Sequence, residues 1–112
     1  MSSYSTALTL PVPVLSVVPA AVMAAGSAGL SVRAQTPYSM KCKSGLTFTT
    51  YPVSIEITVT GLDGAAQVTV YAHNFGFGPL QSGACSKRAI NLIAEMSHIL
   101  QSWSQQAAAQ AR

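Results

Sequence analysis

Between Val53 and His73 the chain keeps a two-residue period on both sides of one short break. Val53, Ile55, Ile57 and Val59 alternate with Ser54, Glu56, Thr58 and Thr60, and Val68, Val70 and Ala72 alternate with Thr69, Tyr71 and His73. Successive strand side chains point to opposite faces, so this pattern specifies a sheet with one apolar and one wet face. Asp63-Gly64 lies between the two runs and is a strong hairpin signal. An apolar sheet face must be covered by another layer, and the rest of the chain has to supply it.

The same period extends upstream. Leu30, Val32 and Ala34 alternate with Ser31, Arg33 and Gln35, which predicts the first three inward; Thr36-Pro37 then reads as a turn. In Tyr38–Thr50, Met40 and Cys42 oppose Lys41 and Lys43, and Gly45 suggests a bulge or bend. Thr6–Leu10 reads as a first strand with Leu8 and Leu10 on one side, ended by Pro11 and Pro13, while residues 1–5 are expected to be disordered. The connections are too short for parallel crossovers, so the ladders are antiparallel.

Two segments have helical character. Val14–Ala25 is apolar nearly all round and fits a buried helix. Pro19 falls in its first turn if Ser16 is the N-cap, and in its interior if the helix starts near Pro13. Gly26 and Gly29 are natural stops. From Ser86 to about Ala109, the residues Ala89, Leu92, Ile93, Met96, Ile99, Leu100 and Trp103 form one apolar stripe, with Lys87, Asn91, Glu95, Gln101 and Gln105 mostly away from it. Phe75–Gly83 is the glycine-rich connection before this helix, and Phe75 and Phe77 are expected to pack beneath it. The reading is a single α+β domain over 6–104, of order β-α-β-β-β-β-α, with a frayed helical tail at 105–112. It comprises a five-stranded antiparallel sheet with two helices on one face.

This succession resembles the fold shared by the TATA-box-binding protein and the helix-grip lipid-pocket proteins, and it is similar to small uncharacterised bacterial proteins with a comparable hairpin, glycine-containing loop and final amphipathic helix. The resemblance covers roughly residues 6–103 and lies in pattern order. It implies a fold and a possible cavity, and it carries over no catalytic residue.

Charge narrows the function. Charged residues make up 8% of the chain and hydrophobic ones 49%, against a usual charged share of about 25%. The net charge of +3 reflects a shortage of acids, since only Glu56, Asp63 and Glu95 are present. The cations Arg33, Lys41, Lys43, Lys87, Arg88 and Arg112 are too dispersed for the basic stripe that nucleic-acid binding usually uses. No charged side chain occurs in the first 32 residues, yet nothing basic precedes Val14–Ala25 and three prolines punctuate the region, so neither a signal peptide nor a spanning helix is expected. The location expected is cytoplasmic.

The chemistry-bearing residues are few. Glu95 and His98 have a metal-compatible helical spacing, but a carboxylate-bridged site needs a second such pair, and a polar helix face accounts for both. Cys42 faces inward and His73 outward, which separates a would-be nucleophile from its base. Cys85 sits just before the predicted helix start, where the dipole and neighbouring cations could lower its pKa. A Cys42–Cys85 disulfide requires an oxidising compartment and is not favoured. The Phe75–Gly83 loop running into Lys87 and Arg88 offers a conceivable anion site, though a tight strand-to-helix turn explains it too.

No catalytic residue, metal site or cofactor is expected. The first functional reading is a non-enzymatic binding or assembly module, through a protein partner or a second copy. The second is a carrier of a small apolar ligand, in a pocket lined by Ile55, Ile57, Val70, Met96 and Leu100. The third is a weak nucleic-acid binder contacting through Arg33, Lys41, Lys43, Lys87 and Arg88, with nucleic acid and membrane both expected to be poor partners.

Overall fold

In a computed structural model, residues 1–45, 50–62 and 64–110 are described. The elements are β1 (Ser2–Leu10), α1 (Val14–Ser27), β2 (Ser31–Thr36), β3 (Ser39–Lys43), β4 (Ser54–Leu62), β5 (Ala65–Asn74) and α2 (Pro79–Gln110). The five strands form one antiparallel sheet of order β1-β5-β4-β3-β2. Both helices pack on its apolar face and against each other, α1 over β2 to β5 and α2 over β1 and β5.

The period-two pattern sets the register. Met40 pairs with Ile57 and Ile57 with Val70, while Cys42 pairs with Ile55 and Ile55 with Ala72. These residues form one inward row after another, all buried. The outward rows alternate with them: Lys41 opposes Glu56, and Glu56 opposes Tyr71. The β4–β5 hairpin closes between Leu62 and Ala65. Gly64 there has φ 69°, the left-handed conformation that a tight hairpin requires; its expected partner in the turn, Asp63, lies outside the described residues. So does most of the end of the Tyr38–Thr50 run, although Ser44 and Val53 extend the pairing through reciprocal bonds. The Ser44 N–H donates to the Val53 carbonyl at 2.9 Å, and the Val53 N–H donates to Ser44 Oγ at 2.8 Å.

Three boundaries or orientations differ from the sequence reading. The first strand opens at Ser2 rather than Thr6, because Ser2 pairs with Asn74 and its hydroxyl donates to the Gly76 carbonyl at 2.9 Å. Residues 2–5 are therefore part of the sheet. The second difference is in β2, where the register shifts between Val32 and Ala34, leaving Arg33 as an extra residue. A bulge of one residue inverts the side-chain parity beyond it, so Ala34 pairs with Lys41 on the outer face and Gln35 with Met40 on the inner one. Of the two helix starts the sequence allows, α1 takes the one directly after Pro13, and the Ser16 hydroxyl donates back to the Pro13 carbonyl at 2.7 Å. Pro19 thus lies inside the helix, where it cannot donate to the Leu15 carbonyl; both residues are exposed, so water can serve that group. The third difference is the start of α2 at Pro79 instead of Ser86, which takes up half of the expected loop.

The core fills the space between the layers. Ala20, Ala21, Ala24 and Ala25 of α1 are fully buried, and their small side chains allow close approach of the neighbouring backbone. On α2 the buried positions are Cys85, Ala89, Leu92, Met96 and Leu100, spaced three or four apart, with Ile93, Ile99 and Trp103 half-buried beside them. Gly29, at φ 75°, ends α1, and Leu30 closes the cap with an N–H bond to the Ala25 carbonyl at 2.8 Å. Among the described residues no helix is long and apolar enough to cross a membrane.

Candidate functional site

The β5–α2 turn and the first half of α2 bring polar and apolar groups together. Asn74, the last residue of β5, is buried, and its Nδ2 donates to Gln81 Oε1 at 3.1 Å and to the Gln81 carbonyl at 3.4 Å. The Tyr51 N–H donates to the same Gln81 Oε1 at 3.0 Å. One side chain on α2 therefore holds the end of β5 and the segment leading into β4. Gly76 fits beneath it: a Cβ there would collide with the Gln81 side chain.

Beside this joint lies a cleft of about 410 Å³ lined by Thr50, Pro79, Leu80, Gly83, Ala84, Lys87, Arg88 and Asn91. Helical spacing explains the lining, because Pro79, Gly83 and Lys87, and Leu80, Ala84 and Arg88, recur every four residues and so share a side of α2. The apolar wall sits nearer the helix start and the two cations one turn further on. A second cleft, of about 340 Å³, is lined by Ala28, Arg88, Asn91, Ala94 and Glu95, so Arg88 and Asn91 stand where the two meet.

The other candidates are scattered. Ile55, Ile57, Val70, Met96 and Leu100 belong to one buried cluster and are 0–4% exposed. Lys41 and Lys43 lie on the outer sheet face, opposite Glu56 and Ser54, and Arg33 is the bulged residue on the edge strand. Lys87 and Arg88 are on α2, on the other side of the sheet. The five cations therefore share no single surface. Glu95 and His98 are exposed on α2. Tyr71 and His73 stack on the outer face with ring centroids 5.3 Å apart.

Both cysteines are free and buried. Burial pushes the Cys42 thiol up to about 11. Cys85 is also raised by burial, with a backbone hydrogen bond pulling the other way. The expectation of a lowered Cys85 pKa fails because α2 starts at Pro79, leaving Cys85 in the second turn facing the core. Its thiol donates to the Ser2 carbonyl at 3.7 Å.

Phe75 and Phe77 do not pack beneath α2: they are 74% and 81% exposed. Their odd numbers continue the outward series of Tyr71 and His73, so the alternation extended two steps further indicates their direction. The apolar wall at Pro79 and Leu80 was missed for a different reason. It exists only because the helix begins early, and glycines in this stretch masked that start.

A sheet gripping one long C-terminal helix is also the arrangement of a solved structure described as "Crystal structure of Ara h 8.0201". This chain is similar to it with a TM-score of 0.56 at 12% identity, over 89% of this chain and 97% of that one. The likeness is one of fold, and it lies on the helix-grip side of the two resemblances expected from the sequence. No protein-family model and no curated protein sequence matches the chain.

Proposed function

We propose that this protein is a non-enzymatic binding module that carries a small amphipathic ligand, with the ligand's apolar body against Pro79, Leu80 and Ala84 and its anionic end on Lys87 and Arg88. The observation that carries this reading is the cleft of about 410 Å³ in which those residues meet. Its volume is within the range of small-molecule sites, and its lining divides between an apolar side at Pro79, Leu80 and Ala84 and a polar side at Thr50, Lys87, Arg88 and Asn91. The dispersal of the acids, histidines and buried thiols supports binding over catalysis.

The second reading is a deeper apolar site between Ile55, Ile57, Val70, Met96 and Leu100. The helix-grip likeness supports it, since a pocket between sheet and long helix is what that resemblance implies. Against it, these side chains are packed into the core, so a ligand there would have to displace them.

Native mass spectrometry of the purified protein would report copy number and any retained ligand together. Titration with anilinonaphthalene sulfonate, which joins an aromatic body to an anion, then separates the two readings. We expect saturable binding that weakens about tenfold or more in the Lys87→Gln/Arg88→Gln variant and is unchanged in Met96→Leu, a volume-conserving change that keeps the core filled. Binding unaffected by loss of the two cations but altered by Met96→Leu in a variant that melts like the wild type would favour the deeper site. No saturable binding would overturn both.

A further inference from the structure

The tip of the molecule formed by the β5–α2 turn exposes large apolar side chains that no other described residue covers. Phe75 and Phe77 project from it, and Leu80, Tyr51 and Met1 are also more than half exposed. Hydrogen bonds place these residues at one end: Ser2 is bonded to Gly76, and Tyr51 and Asn74 are both bonded to Gln81. The backbone that holds the two phenylalanines outward is thus fixed by the neighbouring β1 and α2.

Positive charge is arranged behind this tip. Lys43, paired with Ser54 in the row that contains His73, flanks it on the outer sheet face. Lys87 and Arg88 flank it on the helix side. The two acids whose positions are described lie further back: Glu56 pairs with Tyr71, and Glu95 is fifteen residues along α2 from Leu80. An apolar end with a cationic collar matches an anionic bilayer surface, where aromatic side chains enter the interfacial layer and lysine and arginine meet the headgroups. A second copy of the chain would bring the same cations against each other, which disfavours it as the occupant.

We infer that this end docks on anionic lipid membranes, inserting Phe75 and Phe77 while Lys43, Lys87 and Arg88 contact the headgroups. The inference stands apart from the ligand cleft and does not require it. Co-sedimentation of the full chain with phosphatidylcholine vesicles, with and without phosphatidylserine, tests it. Binding should require phosphatidylserine and weaken as salt is raised. Phe75→Ser/Phe77→Ser should weaken it by at least about tenfold, and Lys43→Gln by about fivefold; Lys43 does not line the cleft, so this second change is independent of the carrier reading. Because the phenylalanines are exposed, the double variant should melt like the wild type, which separates lost docking from lost folding. Equal sedimentation with and without phosphatidylserine, unchanged binding by the double variant, or a vesicle-free dimer that the double variant dissociates would each overturn the inference.

Discussion

Asn74 Nδ2 donates to Gln81 Oε1 at 3.1 Å, tying the end of the longest described strand to the first turn of the long helix. Because the Tyr51 N–H shares that acceptor, Gln81→Ala removes a side-chain oxygen that two donors use and leaves Asn74 only its 3.4 Å bond to the Gln81 carbonyl. The expected loss is about 1–3 kcal/mol, measured by urea denaturation, while Gln105→Ala on the exposed end of α2 should change stability by less than about 0.5 kcal/mol. Equal effects at the two positions would show that the joint contributes nothing.

Gly76 packs against the same joint. Its Cβ-free backbone lies against the Gln81 side chain, and an added methyl would come within 2.6 Å of Gln81 Cδ. Gly76→Ala should therefore push Gln81 out of its hydrogen bonds and destabilise the protein by about as much as Gln81→Ala does. If the two losses share this cause, the double variant should be less destabilised than their sum. A fully additive double variant would separate the two effects.

The thiols give a prediction in pH. Cys42 has an ordinary value of 9.0 and is pushed up to about 11 by burial. The folded state thus holds its proton where the unfolded chain has released it, so the stabilising contribution is complete below pH 9.0 and is lost as pH rises towards about 11. Cys42→Ala should flatten that alkaline decline in urea midpoints. At neutral pH both thiols should react slowly with Ellman's reagent in the native protein and rapidly in denaturant, since reactivity follows the thiolate. Rapid native reaction of either would contradict the buried placement.

Substitutions on α2 test which side faces the sheet. Met96 is fully buried and Ile90 is mostly exposed. Met96→Ala should cost about 2–5 kcal/mol, and Ile90→Ala less than about 0.5 kcal/mol, both read from denaturant midpoints. Reversal of that order would mean the helix is rotated from the orientation described.

The layered architecture was legible because its signals are repetitive. Ile55, Ile57, Val68 and Val70 state their side of the sheet by parity, and Ala89, Leu92, Met96 and Leu100 state theirs by helical spacing, so each run reports one fact several times. What escaped depended on single residues. The extra Arg33 in β2 inverts the sides of Ala34 and Gln35, and only the partner strand reveals it. Ser2 joins the sheet through a pairing with Asn74, far along the chain, so no local pattern marks it. The candidate cleft was half legible. Lys87 and Arg88 stand out as cations near a helix start, but Pro79 and Leu80 read as loop because Gly76, Gly78 and Gly83 weaken the helical signal there.

The extra residue in β2 also bears on how this chain stays apart from its own kind. The strand forms one border of the sheet, and a straight border with open amide groups invites another strand to add to it. With so few charges, the protein has little mutual repulsion to prevent this. The irregularity at Arg33 interrupts the ladder and places a cation at the break, so an incoming strand would meet a misaligned row of donors and acceptors. Removing that residue would straighten the border and restore uninterrupted pairing, and fibrous stacking is the hazard such a shortened chain would face.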